Sequence, residues 1–315
     1  MDANYLHNHP NFLDLIQIVS DEKEIHPYLI EKDYWIMHCL FGLKDQGFDF
    51  ELKGGTSLSK GFGIINRFSE DLDIRLDPVN DSDVKIGKNH TKSKHIEGRA
   101  NYFNELSKGI DIDGIISSER DNEFDDRKLF NAGIRLIYTS KFPYLEGIKQ
   151  GVLLELGFDV VTPNQLLTIS SWVWDKAQAS GVNFIDNRAK QVKCFLPQYT
   201  FVEKLQAIST KHRKYLETGI FPKNFMRHYY DIYSLLQNSD VLNFLGTNEY
   251  KNYKNKRFPN ADNQTISSND AFILEDKKNR ETYSNFYKDT RALYYKEPPS
   301  FEEILSKIKS HILDM

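Results

Sequence analysis

Cysteine is nearly absent from this chain, and so are long apolar runs and a strong excess of one charge. The 315 residues include two cysteines, Cys39 and Cys194, so a disulfide framework and a paired-cysteine zinc site are both excluded. No run approaches the ~18–20 apolar residues that a membrane span needs. The first residues, MDANYLHNHPNF, lack the basic and apolar segments of a signal peptide. We therefore expect a cytoplasmic protein.

The overall charge argues against a general nucleic-acid binder. The net charge is −4 and the pI is near 6.2, whereas such proteins are normally basic. Two stretches, 85–99 and 199–231, are nevertheless locally basic. Each could follow a phosphate backbone or could simply be a solvated face.

A hydrophobic content of 40% indicates a folded globular protein, and 315 residues are enough for one large domain or for two lobes that share a cleft; we expect the two lobes. Strand-like segments end at Pro197 and helix-like segments follow it, so we predict a sheet-containing lobe over 1–196 and a helical lobe over 197–315. The predicted strands are 48–52, 71–76, 132–139, 151–160 and 193–196. The predicted helices are 11–20, 26–45, 94–109, 199–216, 224–238, 282–294 and 300–313. We expect turns or loops at 77–92, 119–128 and 246–270, where no apolar period is seen.

The segment 53–76 carries the most informative pattern in the chain. It is predicted as a strand, a Gly54-Gly55 turn, a short helix and a second strand. The turn leaves backbone N–H groups unobstructed at the start of a helix, where a phosphate is favoured. Thr56 and Ser57 would cap the helix, bind a triphosphate, or both. A plain tight turn would contain the same glycines, so the turn alone does not identify a site.

The second strand of this segment places two carboxylates on one face. Because strand side chains alternate, Asp71 and Asp73 face one way and the apolar residues between them face the other. Two such carboxylates can hold a pair of Mg²⁺ ions ~3.5–4 Å apart, which clamp a phosphate during an in-line displacement. The order of turn, helix and carboxylates predicts phosphoryl or nucleotidyl transfer. An isolated Asp-x-Asp on an edge strand would more simply be a solvated face.

Other side chains complete the predicted site. Glu155 lies mid-strand among apolar neighbours, where an ionised carboxylate is costly unless it is paired or bound to metal. We therefore predict Glu155 as the third metal-binding carboxylate, with Asp159 as the reserve, although a carboxylate at a sheet edge could also face water. Arg67 and Ser69 just precede the carboxylate strand and could reach the phosphates.

The string KGGTSLSK followed by INRFSEDLDI resembles the first motif of the nucleotidyltransferase superfamily, which has the DNA polymerase beta-like fold. It most resembles the AbiEii/AbiGii toxins of bacterial abortive-infection and toxin–antitoxin systems. The segment IEKDYW, residues 30–35, resembles one that precedes the Gly-Gly turn in this branch. The resemblance implies an α/β (α+β) fold, with a mixed β-sheet lobe and a C-terminal helical lobe. It also implies Mg²⁺ as cofactor, in two ions, and an NTP as substrate.

The predicted helical lobe contains two further matches. FVEKLQAI, residues 201–208, resembles a family helix whose lysine, here Lys204, is expected to contact nucleotide phosphates. At the margin of an apolar stripe, Lys204 could also extend into solvent. RHYYD, residues 227–231, resembles a family motif whose aspartate, here Asp231, would orient Lys204 or bind the acceptor. His228 stands where the family often has Arg or Asp. Without the resemblance, Asp231 would form a surface ion pair with Arg227.

Together these features predict a Mg²⁺-dependent nucleotidyltransferase that transfers NMP from an NTP to a hydroxyl of an acceptor. The resemblance implies a toxin with a cognate antitoxin as partner and an RNA such as tRNA as acceptor. Two alternatives stay open: the same chemistry on a small molecule or protein, and an NTP- or RNA-binding module without turnover. The predicted catalytic residues are Asp71, Asp73, Lys204 and Asp231; the nucleotide-binding residues are Gly54, Gly55, Thr56, Ser57, Arg67, Ser69 and Lys204; the metal-binding residues are Asp71, Asp73 and Glu155.

Overall fold

The computed structural model describes residues 3–78, 84–159 and 162–315. The chain forms two compact units. The first comprises Met1–Gly61 and Phe68–Phe195, and the second comprises Phe62–Arg67 and Leu196–Met315. The second unit thus begins next to Pro197, and it also includes residues 62–67, which lie within the predicted first lobe.

In the described residues, the first unit is built on a mixed seven-stranded sheet, in the order β3-β4-β5-β2-β1-β7-β6. The pairs β1–β7 and β2–β5 are parallel, and the other neighbouring strands are antiparallel. Seven strands and helices on the sheet confirm the predicted α/β class. The strands are β1 Phe50–Lys53, β2 Asp71–Leu76, β3 Ile115–Asp121, β4 Asn131–Tyr138, β5 Val152–Gly157, β6 Asn164–Ile169 and β7 Ala189–Phe195.

One helix of this unit, α2, is buried along nearly its whole length. Almost every side chain of α2 is buried, whereas α1 buries one face, as expected of a helix that packs on several elements. The helix α2 contacts β2, β5 and β7 of the sheet, and α1 and α5 pack against it. The helices are α1 Phe12–Lys23, α2 Pro27–Asp45, α3 Gly54–Thr56, α4 Ser93–Gly109 and α5 Trp172–Ala179. A π-type turn, Ser57–Gly61, continues α3.

The second unit is helical in the residues that the structure describes. A bend after α6 is formed by Gly219, whose φ of +69° ends the helix. The helices are α6 Pro197–Thr218, α7 Arg227–Leu235, α8 Ser239–Phe244, α9 Asn248–Arg257, α10 Asp270–Ile273, α11 Lys277–Lys288 and α12 Phe301–Ser310. No helix in the described part of the chain is both long and apolar enough to cross a membrane.

Several sequence-based expectations of local structure were wrong or incomplete; α5, for example, was not predicted. Residues 119–128 were predicted as a turn, yet their first part is the end of β3. The predicted loop 246–270 contains α9, which has almost no apolar residues; Tyr250 fixes it by burying its ring and donating to the Met315 carbonyl at 2.6 Å. The strand β6 was missed because it is an edge strand with little burial. Part of the predicted loop 77–92 lies outside the described residues.

Candidate active site

The Gly-Gly turn lies directly against one of the two predicted metal-binding carboxylates. Gly54 has φ of +71°, and a Cβ at this position would be 1.8 Å from Asp73 Oδ2. The antiparallel pairing of Lys53 with Asp73 causes this approach, because it brings the end of β1 beside β2. Only glycine satisfies both the left-handed backbone and the contact. The turn is therefore shaped around the Asp73 carboxylate.

The two hydroxyl residues after the turn are both buried, and Thr56 ties the turn to the neighbouring strand. Thr56 Oγ1 donates a hydrogen bond of 2.8 Å to the Asp71 carbonyl, which ties the turn to the start of β2. Ser57 is fully buried. Both hydroxyls thus face the protein interior, and contact of Thr56 or Ser57 with a triphosphate stays a prediction. Gly55 is buried beside them.

Three carboxylates lie side by side on two parallel strands. The burial of β2 alternates as predicted, with Asp71 and Asp73 on the less buried face. Glu155 on β5 is the direct neighbour of Asp73 in the sheet, whereas Asp159 lies beyond the end of that strand. Burial, followed by the charges of Asp73 and Asp71, raises the pKa of Glu155 to about 8. Such mutual repulsion is what a bound cation relieves.

A lysine that no sequence pattern indicated lies at this cluster. Lys149 Nζ lies 3.5 Å from Asp71 Oδ2, and its ammonium stacks over the Phe124 ring at 4.2 Å. The Lys149 backbone N–H donates to Glu70 Oε2 at 3.0 Å. Burial raises the pKa of Asp71, and Lys149 opposes that rise. Since Lys149 stands in a loop before β5 with no periodic pattern, only the fold brings it here.

Buried residues of the EKDYW segment form hydrogen bonds with loops of the first unit, one of which contains Lys149. Glu31, Lys32 and Asp33 are buried on α2. Glu31 accepts hydrogen bonds from Ser140 Oγ at 2.6 Å and the Lys141 backbone N–H at 2.9 Å. Lys32 donates to the Lys149 carbonyl. These buried groups are all partnered, as burial requires.

The third acid of this segment supports the turn side. Asp33 pairs with Lys60 at 2.6 Å, just after the Gly-Gly turn, and accepts from the Trp172 backbone N–H at 2.9 Å. The three consecutive ionisable residues therefore connect α2 to both flanks of the carboxylate cluster. The segment acts by positioning other elements.

The second unit contains a separate buried charge cluster. Arg67 binds Asp231 with two hydrogen bonds, Nε–Oδ1 at 2.7 Å and Nη2–Oδ2 at 2.8 Å, and Lys204 Nζ lies 3.0 Å from Asp231 Oδ2. Asp231 is fully buried; burial alone would raise the pKa of its carboxyl, but Arg67 and Lys204 lower it below its ordinary value. The surface ion pair considered for Asp231 is thus wrong. Arg67 holds Asp231, and its predicted contact with phosphates stays a prediction.

Two other predicted positions are less engaged. Ser69 is half-buried just before β2. Burial, followed by the charge of Lys204, lowers the pKa of His228 well below its ordinary value, so its ring is neutral. A neutral imidazole beside this cluster adds no charge to it.

The basic stretches do not behave as uniform phosphate-binding faces. Arg99, in the stretch 85–99, is fully buried and donates to the carbonyls of Lys85, His90 and Lys128. Its guanidinium is therefore a structural group. Arg213, in the other stretch, is paired with Asp262 and Glu217.

The oxygen donors of the carboxylate cluster are of the type that binds a hard divalent cation. The side chains are not placed around a common metal position. Within 3–78, 84–159 and 162–315, no group of three or more His, Cys, Asp or Glu side chains is placed to hold a metal ion. The donors are carboxylate oxygens, which Mg²⁺ prefers. Asp71 Oδ1 is buried and has no hydrogen-bond partner among the described residues, which is costly unless a ligand fills that role. The residues therefore fit Mg²⁺.

Comparison with known proteins gives one structural neighbour and one family match. A crystal structure of an antigenic nucleotidyltransferase-like protein from Paracoccidioides brasiliensis is similar over 72% of this chain and 86% of that chain. Its identity is 16% and its TM-score 0.38, a similarity too low to carry an argument. No curated protein matches. The family model described as nucleotidyl transferase AbiEii toxin, type IV toxin–antitoxin system, matches residues 37–307. Because this match spans most of the chain, the protein belongs to the AbiEii nucleotidyl transferase toxin family.

Proposed function

We propose that this protein is a Mg²⁺-dependent nucleotidyltransferase that transfers NMP from an NTP to a hydroxyl of an RNA, with tRNA as the foremost acceptor. It acts as the toxin of a toxin–antitoxin pair, so an antitoxin is its proposed partner. Family membership supports the reaction class and the antitoxin. The local chemistry of the first unit supports the metal.

The observation that carries the proposal is the set of three carboxylates beside the Gly-Gly turn. Asp73 and Glu155 are paired across β2 and β5, Asp71 precedes them on the same face, and Gly54 lies directly against Asp73. Three partly buried carboxylates repel one another, which is unfavourable for a purely structural surface. A site that binds a cation and a polyphosphate requires such carboxylates.

Each residue has a distinct role in this proposal. Asp71 and Asp73 would hold Mg²⁺, with Glu155 as the third ligand. Bound there, Mg²⁺ would neutralise charge on the triphosphate and on the leaving pyrophosphate. Gly54 and Gly55 keep the approach to Asp73 open, since neither has a side chain. One of the carboxylates would accept the proton of the attacking hydroxyl.

The Arg67–Asp231–Lys204 cluster is the proposed phosphate-binding element of the second unit. Two cations share one carboxylate there, which leaves the cluster with a net positive charge. Arg67 is buried, whereas the Lys204 side chain is 13% exposed. Lys204 is therefore the member that can present N–H groups to a phosphate, and Asp231 orients it.

The test is transfer from each of the four α-labelled NTPs, with Mg²⁺, into total cellular RNA and protein. The variants are Asp71→Asn and the matched control Asp49→Asn, which removes an exposed carboxylate paired with Lys193 at the other end of β1. We expect labelled RNA with the wild type and the control, and a loss of at least ~100-fold with Asp71→Asn, because the metal ligand is gone.

Three outcomes would contradict the proposal in whole or in part. Full activity of Asp71→Asn would remove the metal-binding role of the cluster. Labelled protein in place of RNA would change the acceptor. Absence of any product, with NTP still bound, would favour a binding module.

A further inference from the structure

Lys149 is held at the carboxylate cluster from three sides. Its backbone N–H is bound by Glu70, its carbonyl by Lys32, and its ammonium by the ring of Phe124 and the carboxylate of Asp71. Glu70 and Asp71 are adjacent in sequence, so the loop and the start of β2 are joined at two successive residues. This arrangement fixes where the Lys149 side chain leaves the backbone.

The two lysines here differ in their freedom to move. Lys32 is buried to 1% exposure and serves the loop backbone. The Lys149 side chain is 31% exposed, and its contact with Asp71 is a long one at 3.5 Å. Lys149 can therefore leave Asp71 for solvent without unfolding anything, which Lys32 cannot do. Long lysine side chains commonly exchange between such positions.

We propose that Lys149 is the counter-ion of the metal-free site: its ammonium neutralises Asp71 until a divalent cation takes its place. This inference rests on the proposed function, since it requires that Asp71 bind metal. It assigns Lys149 as a positioning residue for the metal-free state. Lys149 thereby keeps the Asp71 carboxylate in place.

The test compares Lys149 variants with the wild type by two measurements. Titration calorimetry gives the Mn²⁺ affinity, and thermal unfolding in EDTA gives the stability without a divalent cation. Lys149→Met keeps the stem over Phe124 but removes the charge. We expect it to bind Mn²⁺ about fivefold more tightly, because the competing cation is absent. In EDTA its unfolding midpoint should fall by about 2 °C, because Asp71 has lost its partner. Lys149→Arg should behave as the wild type does.

Controls separate this inference from the proposed function. Lys193→Met removes a lysine of the same unit that pairs with Asp49, and it should leave Mn²⁺ affinity unchanged. If the wild type binds Mn²⁺, Asp71→Asn does not, and Lys149→Met binds as the wild type does or more weakly, the inference is overturned and the metal site stands. If Asp71→Asn binds Mn²⁺ as the wild type does, both are overturned. Lys149→Gln replaces Lys149→Met should the latter fail to fold.

Discussion

At the scale of single residues, geometry fixes the identity of Gly54 twice over. Its φ is +71°, and its α-carbon lies so close to Asp73 that any side chain would enter the carboxylate. Any left-handed backbone position disfavours alanine, which lowers the free energy of unfolding there by about 1 kcal/mol. The contact with Asp73 is specific to this site. The two terms can be separated by experiment.

Gly54→Ala is expected to abolish transfer and to lower the free energy of unfolding by about 1–3 kcal/mol, because the methyl group displaces Asp73. Gly47→Ala is the matched control, since Gly47 also has a positive φ but no atom within 4 Å of its Cβ position. It should lose about 1 kcal/mol and keep full transfer. Labelled-NTP transfer and urea unfolding measure both effects; equal activity of the two variants would refute the role of the contact.

Side-chain alternation was enough to place Asp71 and Asp73 on one face, and the structure shows that alternation. The neighbours of those residues were not predictable in the same way. Glu155 was proposed from its apolar surroundings, but its pairing with Asp73 depends on the register of two strands far apart in sequence. Lys149 has no signal in its own sequence neighbourhood.

At the scale of elements, α2 is the organising helix of the first unit. It is buried on nearly all sides, so its polar residues must find partners within the protein. His38 is one of them. The hydrogen-bond network assigns its tautomer: Nε2–H donates to the Asp113 carbonyl at 3.0 Å, and Nδ1 accepts from Asn187 Nδ2 at 2.9 Å.

His38 should make stability depend on pH. Burial, followed by the charge of His7, lowers the pKa of His38 to about 4 from an ordinary 6.5. The unfolded chain therefore binds this proton first as pH falls. The contribution of neutral His38 to the free energy of unfolding is complete above the unfolded pKa. It is lost as pH falls from about 6.5 towards 4, by up to about 3 kcal/mol.

The measurement is urea unfolding across this pH range for the wild type and His38→Gln. The variant should show a shallower fall in stability, because glutamine does not titrate. A comparison at mildly alkaline pH, where the imidazole is neutral in both states, gives the packing cost of the substitution by itself. Parallel curves for the two proteins would show that another group causes the pH dependence.

At the scale of the whole molecule, the chain leaves the first unit at Phe62, contributes six residues to the second, and returns at Phe68. Arg67 explains this path, because its guanidinium holds the buried Asp231. The neighbouring Asn66 backbone N–H also donates to Tyr230 Oη at 3.1 Å. The second unit is therefore not complete as residues 196–315.

Arg67→Met is expected to lower the free energy of unfolding of the second unit by about 3–5 kcal/mol, because it leaves a buried carboxylate without its bidentate partner. Arg280→Met, which breaks an exposed pair with Glu302, should cost less than about 1 kcal/mol. Far-UV circular dichroism in urea is the suitable readout, since the three tryptophans, Trp35, Trp172 and Trp174, lie in the first unit. Equal losses in the two variants would contradict the prediction.

Three features could be predicted without coordinates: the α/β class, the Gly-Gly turn followed by the Asp71–Asp73 strand, and, through its motif, the family. These are local features, and periodicity and residue type suffice to specify them. The tertiary structure alone decided which carboxylate stands beside Asp73, which lysine faces Asp71, and that Arg67 serves Asp231. Each of these contacts joins residues far apart along the chain, and strand register and helix packing, which no local pattern encodes, bring them together.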